Sequence, residues 1–379
     1  MRMNQKLVLV GGGHAQAIAL REWGLNPVPN VDLILISDVE QTPYSGMLPG
    51  HVAGFYSYEE THIDLVSLAE FAGAKFVKDR AIGLDLAHQQ VICSSQRIDY
   101  DYLSLDIGST PQTIEIPGAQ TYAIPAKPVP LFLAAWHELK QLAANCQQHL
   151  SLVIVGGGAG GVELALNIQT CLREILPAEE LLELHLIHRG QQLLPGHNDW
   201  VSRKLEKIMQ QRSIKLHLQQ NVTKVLADRV ICQSGLEIPS DRIFWVTQAS
   251  APKWLKSSPL KTDDRGFILV QQTLQSLSHP HIFAAGDIAT MVNYPRPKAG
   301  VFAVRQGKPL VENWRRILTG EQLIKYTPQD KYLALIGTGD KKAIASWANL
   351  GWRSALFWLW KDYIDRKFMN QFVALDSGV

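Results

Sequence analysis

An unbroken apolar run opens the chain: residues 7–10 are all hydrophobic, and Gly11, Gly12 and Gly13 follow them directly. Apolar residues without alternation are typical of a parallel strand that is buried on both faces. The next stretch, AQAIALREW, has the composition of a helix. The pattern therefore predicts a strand, a tight turn and the start of a helix.

Such a turn can bind the pyrophosphate of a nucleotide. Glycine has no Cβ to obstruct the phosphate, and the free N–H groups at the helix start, here those of His14 and Ala15, face it. We expect a Cβ at Gly13 to point into the path of the phosphate. The third glycine of the dinucleotide fingerprint is replaced by Gln16, so a plain strand-to-helix connection stays an alternative.

The same sequence pattern of strand, glycine turn and helix occurs a second time, in SLVIVGGGAGGVELALNI. Here Gly156, Gly158 and Gly161 match G-x-G-x-x-G in full, between an apolar strand and an alanine- and leucine-rich helix. This is the structural context that the fingerprint requires. The repeat predicts a second nucleotide site.

Residues that end the second strand of each unit are candidates for holding a ribose. Asp38 follows the apolar run 31–37 and can accept hydrogen bonds from an adenosine ribose, or it is a solvated strand end. The corresponding strand of the second unit ends in His188 and Arg189. An arginine can accommodate a 2′-phosphate, which favours NADPH slightly over NADH, although a surface arginine after a strand is common.

Segments outside the two fingerprints supply further candidate residues. Short alternating stretches over 74–105 predict a meander of strands. An aspartate beside a glycine turn caps a helix, binds cofactor hydroxyls, or does both. Three strands are each followed by a turn that can pass close to a cofactor. The first turn contains Gly108 and Ser109, the second Thr247 and Gln248, and the third Gly286 and Asp287.

Composition narrows the class of protein. With 379 residues the chain exceeds one ordinary domain, and a net charge of +2 does not indicate a nucleic-acid partner. Its four cysteines lack metal-ligand spacing, so we expect no metal site and reduced thiols in the cytoplasm. The chain enters its first strand almost at once, so we expect no signal peptide. No apolar run approaches the roughly 20 residues that span a bilayer, which leaves contact with a membrane surface at most.

Two fingerprints, an intervening small-residue turn and a late AAGD segment resemble the two-dinucleotide-binding-domain flavoproteins, the pyridine nucleotide-disulfide oxidoreductase superfamily. The resemblance implies an α/β fold with two Rossmann-like dinucleotide-binding domains, the second inserted into the first, plus a C-terminal segment. We expect an FAD-binding domain over 1–115 and 266–325, an NAD(P)H-binding domain over 116–265, and an interface or membrane-contact segment over 326–379.

The resemblance also implies roles for single residues. FAD is expected at the first glycine turn, with Asp38 and Asp287 on its hydroxyls, and NAD(P)H at the second turn. Glu163 is a candidate for shaping the nicotinamide pocket, or it only complements the helix dipole. Lys298 is a candidate for stabilising the reduced flavin, or it is a solvated loop lysine. Gln306 is a further candidate neighbour of the flavin.

Within the superfamily, TPYSGMLPG, RPKAGVFAVRQG and KDYIDRKFM resemble a branch close to type II NADH dehydrogenases. That branch includes the FAD-containing module fused to selenide, water dikinase. Residues 14–60 contain no cysteine and none follows Cys232, which argues against disulfide reduction and sulfide oxidation. We therefore expect hydride to pass from NAD(P)H to the flavin and electrons to pass on to an acceptor, most simply a quinone. A non-catalytic flavin or nucleotide sensor and an electron donor in selenium or sulfur metabolism are the alternatives.

The C-terminal stretch from Trp347 to Met369 is rich in aromatic and basic residues. Such residues on one helix suit a membrane interface, where quinones partition. Burial against the flavin domain or a second subunit, giving a homodimer, is favoured by the apolar run 355–360. The residues at helical spacing are Trp352, Leu356, Leu359 and Tyr363, and the basic ones are Arg353, Lys361, Arg366 and Lys367.

Overall fold

Two five-stranded parallel sheets form the frame of the computed structural model, which describes residues 4–111, 116–247, 249–373 and 375. In spatial order the first sheet consists of Ile282–Ala284, Tyr102–Leu105, Gln5–Val10, Val31–Ser37 and Lys75–Lys78. The second sheet consists of Ala123–Pro125, Arg242–Trp245, Leu150–Val155, Leu182–Ile187 and Lys215–His217. The predicted α/β class is therefore confirmed.

The chain leaves the first sheet, builds the second, and returns to the first with Ile282–Ala284. Its strands are buried because helices cover them: Leu7, Val8 and Leu9 are fully shielded from solvent. The predicted domain boundary at 115/116 borders residues 112–115, which lie outside the described ranges, as does Gln248 of the predicted turn. The division into domains stays a prediction.

Eleven α-helices lie in the described part of the chain. They are His14–Leu25, Leu48–Val52, Tyr58–Thr61, Leu65–Phe71, Ala119–Tyr122, Val129–Ala144, Ala159–Ile175, Asp199–Gln211, Lys253–Ser257, Gly300–Thr319 and Ala355–Val373, with short 3₁₀ turns at Glu179–Leu181 and Gly286–Ile288. His14–Leu25 packs closely on Gly300–Thr319 at Gly307, where a Cβ would lie 2.6 Å from Cβ of Ile18.

Smaller sheets flank the frame. The predicted meander over 74–105 is wrong at both ends, because Lys75–Lys78 and Tyr102–Leu105 join the parallel sheet instead. The antiparallel part consists of Ala81–Asp85, Gln90–Cys93 and Arg97–Asp99, and its counterpart beside the second sheet consists of Val222–Val225, Arg229–Cys232 and Glu237–Pro239. Three strand pairs complete the inventory before residue 300: Gln41–Pro43 with His62–Asp64, Thr110–Pro111 with Ala249–Ser250, and Ile268–Val270 with Ala289–Met291.

The C-terminal segment joins the two halves of the molecule. It forms an antiparallel sheet of Ala334–Gly337, Ala343–Trp347 and Leu350–Ser354, and then the helix Ala355–Val373, which we call the C-terminal helix. Ile336 and Ile344 are buried in the core around the second sheet, whereas Met369 and Phe372 are buried in the core around the first. The segment is therefore packed against both.

Candidate functional site

The first glycine turn is closed by the segment that follows strand Tyr102–Leu105. Gly11 has φ +92°, and a Cβ there would lie 2.4 Å from the carbonyl oxygen of Asp106. The N–H of Gly13 donates to the same oxygen at 2.9 Å. A Cβ at Gly13 would lie 2.1 Å from Oδ1 of Asp106, so a carboxyl of the protein already limits this position; that the Cβ also points into the path of a phosphate stays a prediction. The glycine is required because the Asp106 carboxyl occupies that space.

Gln16 shows how the first turn works without its third glycine. In the second turn, a Cβ at Gly161 would lie 1.8 Å from the carbonyl oxygen of Gly156, so only glycine fits there. In the first turn the side chain of Gln16 donates from Nε2 to the carbonyl oxygen of Gly11 at 2.6 Å. A side-chain hydrogen bond thus replaces the direct packing of helix on strand.

Three distant segments meet at Asp287. Its Oδ2 accepts from Oγ of Ser109 at 3.0 Å and from Nζ of Lys127 at 2.7 Å. Burial acts to raise the pKa of Asp287, but Lys127 and Ser109 outweigh it and hold the pKa below its usual range. Beside it, the N–H of Gly286 donates to Oε1 of Gln306 at 2.7 Å. The structure thus brings these predicted residues together and adds Lys127, which sequence reasoning missed.

Lys298 is half-buried rather than a solvated loop lysine. Its ammonium group donates to the carbonyl oxygen of Ala289 at 2.5 Å and to Oγ1 of Thr290 at 3.0 Å. It also lies 4.1 Å from the centre of the Phe267 ring. Burial lowers its pKa to about 8. Lys298 therefore ties the late loop to strand Ala289–Met291 at one side of the candidate flavin site.

The second glycine turn is less crowded and holds unused polar atoms. Gly156 has φ +130°, and nothing lies within 4 Å of a Cβ built at Gly158. Nδ1 of His188 accepts from the N–H of Gly157 at 3.2 Å, which leaves the proton on Nε2. Nε2 of His188 and Oγ1 of Thr247 are buried without a hydrogen-bond partner among the described residues. Buried polar atoms normally have partners, so both fit a ligand with hydroxyl or phosphate oxygens.

Asp38 and Arg189, which follow the second strand of the first and of the second dinucleotide-type unit, are both exposed. Arg189 projects to solvent next to His188. Asp38 is also exposed and lies 3.4 Å from Nε of Arg80, measured from its Oδ2. Both stand at the carboxyl end of a parallel strand, where ligands of doubly wound sheets bind.

Glu163 faces the C-terminal segment. Its Oε1 accepts from the N–H of Gly337 at 2.7 Å. Burial raises the pKa of Glu163 to about 7, and the nearby charge of Lys361 limits the rise. A buried glutamate with a raised pKa, near the start of the helix that follows the second glycine turn, is a candidate for proton exchange rather than a plain dipole partner.

A second polar cluster connects the loop at 44–46 to the C-terminal helix. Nζ of Lys361 donates to the carbonyl oxygen of Gly46 at 2.6 Å and to Oδ2 of Asp365 at 2.5 Å. The hydroxyl of Tyr44 donates to Oδ1 of Asp365 at 3.1 Å, and its ring stacks on Phe368 at 4.3 Å. The C-terminal helix thus contributes charged groups to the junction of the two sheets.

The outer face of the C-terminal segment is apolar and exposed. Trp352 and Leu356 are 72% and 73% exposed. Leu356 of the apolar run 355–360 is therefore not buried within the monomer, although the C-terminal helix packs on the core around the first sheet through Met369 and Phe372; burial against a second subunit stays a prediction. Trp352 lies on strand Leu350–Ser354 and not on the helix, which begins at Ala355. We call this surface the apolar face; its members are Trp347, Leu350, Trp352, Leu356, Leu359, Trp360 and Tyr363.

The basic residues of this segment are largely neutralised. Arg353 pairs with Asp340, Lys361 pairs with Asp365, and Arg366 pairs with Glu60 and Asp362. Lys367, the fourth basic residue predicted here, contacts an aromatic ring instead of a carboxylate: its ammonium lies 5.9 Å from the centre of the Tyr363 ring. The apolar face therefore carries little net positive charge.

The residues that the structure describes contain neither a disulfide nor a cluster of candidate metal ligands. All four cysteines are free, and no group of three His, Cys, Asp or Glu side chains is arranged to hold a metal ion within that part of the chain. Among the described helices, none combines the length and apolarity needed to cross a bilayer.

The chain is similar in sequence and in fold to known oxidoreductases. A family model described as pyridine nucleotide-disulphide oxidoreductase matches residues 5–307. The NADH dehydrogenase-like protein YutJ of Bacillus subtilis is 24% identical over 369 residues, covering 95% of this chain and 99% of the relative. Demethylphylloquinone reductase NdbB of Synechocystis is 23% identical over 350 residues, covering 87% and 84%. The solved structure of NDH2 from Plasmodium falciparum in complex with NADH has a TM-score of 0.82 at 15% identity, covering 98% of both chains.

Proposed function

Because this chain belongs to the pyridine nucleotide-disulphide oxidoreductase family, we propose that it is an FAD-dependent NAD(P)H dehydrogenase that reduces a quinone at a membrane surface. The chain is an oxidoreductase, as its match to the family and to the relatives named above indicates. The identity of the flavin, the acceptor and the place of reaction are the parts that we propose.

FAD would be held between the first glycine turn and the late turn. Gly11, Gly13 and the start of helix His14–Leu25 suit a pyrophosphate, and Asp287, already aligned by Lys127, suits the hydroxyls of the ribityl chain. Lys298 and Gln306 border the same site. When bound, the flavin supplies the two-electron chemistry, and the protein supplies orientation and electrostatics.

NAD(P)H would be held at the second glycine turn. The unpartnered Nε2–H of His188 is a donor where this fold more often has an acidic acceptor, so it suits a ribose oxygen. Exposed Arg189 suits a 2′-phosphate. Glu163 would border the nicotinamide end, where its near-neutral pKa lets it hold or release a proton.

The observation that favours a quinone as the electron acceptor is the position of the C-terminal helix. The C-terminal helix presents Lys361 and Asp365 to the junction of the two sheets and Leu356, Leu359 and Tyr363 to the outside. A lipid-soluble acceptor must be taken from a membrane, and an apolar, aromatic face one helix away from the charged junction suits that task. Because Arg353, Lys361 and Arg366 are paired with carboxylates, contact would depend on apolar burial and not on anionic lipid.

The test uses purified protein and its visible spectrum. We expect a yellow protein whose heat-released flavin is FAD, whose absorbance near 450 nm is bleached anaerobically by NADH or NADPH, and whose colour returns when a water-soluble quinone is added. The control is the Gly158→Val variant, which should keep its flavin but lose bleaching, because its substitution fills open space at the second turn only.

Other outcomes would separate the remaining functions. Bleaching without reoxidation by any quinone would indicate a flavin or nucleotide sensor. Reoxidation by selenium or sulfur compounds but not by quinones would indicate an electron donor to those elements. Absence of flavin from freshly purified protein would refute the proposed function.

A further inference from the structure

The two glycine turns of this chain are built alike except at one buried position. The N–H of Asp106 donates to the carbonyl oxygen of Val10 at 2.9 Å, and the N–H of Val246 donates to that of Val155 at 2.8 Å. Each of the two residues also places its own carbonyl oxygen 2.4 Å from a Cβ built at the first glycine of its turn. Asp106 and Val246 are therefore structural equivalents, one acidic and one apolar.

The carboxyl of Asp106 lies between the two turns assigned to FAD. The residue is 2% exposed. Its Oδ2 accepts from the N–H of Gln16 at 3.1 Å, in the first turn of the helix. Its Oδ1 would lie 2.1 Å from a Cβ at Gly13 and 2.3 Å from a Cβ at Gly286. This carboxyl therefore shares the helix N-terminus with any phosphate bound there.

The charges around Asp106 do not favour a second anion. Asp287 faces Asp106 from the late turn and Lys127 faces it from the segment between the sheets, whereas His14, at the start of helix His14–Leu25, lies near Asp287. Burial lowers the pKa of His14, so that its ring is neutral, and Lys127 is already bound to Asp287. Burial also raises the pKa of Asp106 to about 7. A doubly charged pyrophosphate would repel an ionised carboxyl in this place, but a neutral one can donate a hydrogen bond to it.

We propose that Asp106 binds the flavin pyrophosphate in its protonated form, so that binding of FAD is coupled to the uptake of one proton. The carboxylate gains the proton from solvent, and its new O–H donates to a phosphate oxygen. This inference rests on the proposed function, because it takes FAD as the ligand of the first turn.

The test measures the dissociation constant of FAD between pH 6.5 and 9. Purified holoprotein is diluted in a series of buffers of equal ionic strength, and released FAD is followed by its fluorescence. We expect the dissociation constant to rise by up to about tenfold per pH unit above pH 7, since one proton is lost from the free protein there. A value that is constant over this range would overturn the proposal.

Two variants of Asp106 distinguish the effect of its proton on FAD binding from the effect of its side-chain packing. Asp106→Asn keeps the shape and a donor, so it should bind FAD independently of pH and more tightly than wild type by at least tenfold at pH 9. Asp106→Val copies the second turn, so it should also be independent of pH but weaker than Asp106→Asn. The matched control is Asp99→Asn, an exposed aspartate, which should keep the wild-type profile.

The two proposals fail differently. If wild-type protein holds no FAD at any pH, the proposed function is refuted. If it holds FAD with an affinity that does not depend on pH, or if Asp106→Asn keeps the wild-type slope, only the role of Asp106 is refuted. Should Asp106→Asn not fold, the wild-type profile still decides, because it needs no variant.

Discussion

Gly13 shows how much a single missing Cβ matters. Its φ of −64° suits any residue, so the constraint is the contact with the Asp106 carboxyl and not the backbone. We predict that Gly13→Val loses its flavin, measured as the ratio of absorbance at 450 nm to 280 nm. Gly83→Ala, where a Cβ would lie 3.5 Å from Ile92, should retain it. Combining Gly13→Ala with Asp106→Ala should restore flavin relative to Gly13→Ala alone, and an additive loss would contradict this explanation.

A second prediction at the residue scale concerns Arg189 and the preference between NADPH and NADH. We predict that Arg189→Ala weakens binding of NADPH relative to NADH by about 1–3 kcal/mol, the loss of a charge-assisted hydrogen bond to the 2′-phosphate. The measurement is the dissociation constant of each nucleotide, followed by flavin or protein fluorescence. Arg203→Ala, which removes another exposed arginine, is the control. Equal effects on NADH and NADPH would show that Arg189 does not contact the 2′-phosphate.

At the scale of elements, we expect the burial of Glu163 beside the C-terminal segment to make stability depend on pH. The folded pKa of Glu163 is about 7, well above the value of an unfolded glutamate. Between these two values the folded state binds more protons than the unfolded state, so this group's contribution to stability falls as pH rises through about 7.

Glu163→Gln should remove that dependence. We predict that this variant gains thermal stability relative to wild type at pH 8 and much less at pH 5.5, read as the difference in Tm. Glu174→Gln, on the exposed side of the same helix, should leave the difference unchanged. A uniform shift of Tm at both pH values would mean that burial does not raise the pKa of Glu163.

At the scale of the whole molecule, we expect the apolar face to determine whether the protein binds a membrane. A large apolar side chain contributes about 1.5–3 kcal/mol when it is fully buried. We predict that the protein floats with vesicles of neutral phosphatidylcholine, and that 0.5 M salt changes this little because the basic residues are paired.

The double variant Trp352→Ser with Leu356→Ser should stay at the bottom of the gradient. Its control is Leu131→Ser, which removes a leucine that is 60% exposed on another surface. Flotation that requires anionic lipid would contradict a purely apolar contact. Loss of flotation together with a change from dimer to monomer would identify the face as a subunit interface.

Local pattern predicted both glycine turns, because a strand, a turn without Cβ atoms and a helix N-terminus are specified by neighbouring residues. The α/β class and the superfamily followed from the resemblance that these motifs and the late AAGD segment carry together. The turn pattern predicted that Ser109 and Gly286 lie close to a cofactor, the resemblance implied the same for Asp287 and Gln306, and the structure brings the four residues together. The roles assigned to these residues remain predictions.

The sequence by itself thus determined what each turn is made of, whereas the tertiary structure decided what lies against it. Lys127 is 160 residues from Asp287, and Asp106 is 90 from Gln16, so no local pattern could pair them. The exposure of Trp352 and Leu356 was likewise decided by where the C-terminal segment packs, since one apolar run suits a core and a membrane surface equally. Spacing along a chain reports which face of an element a residue occupies, but only packing reports what covers that face.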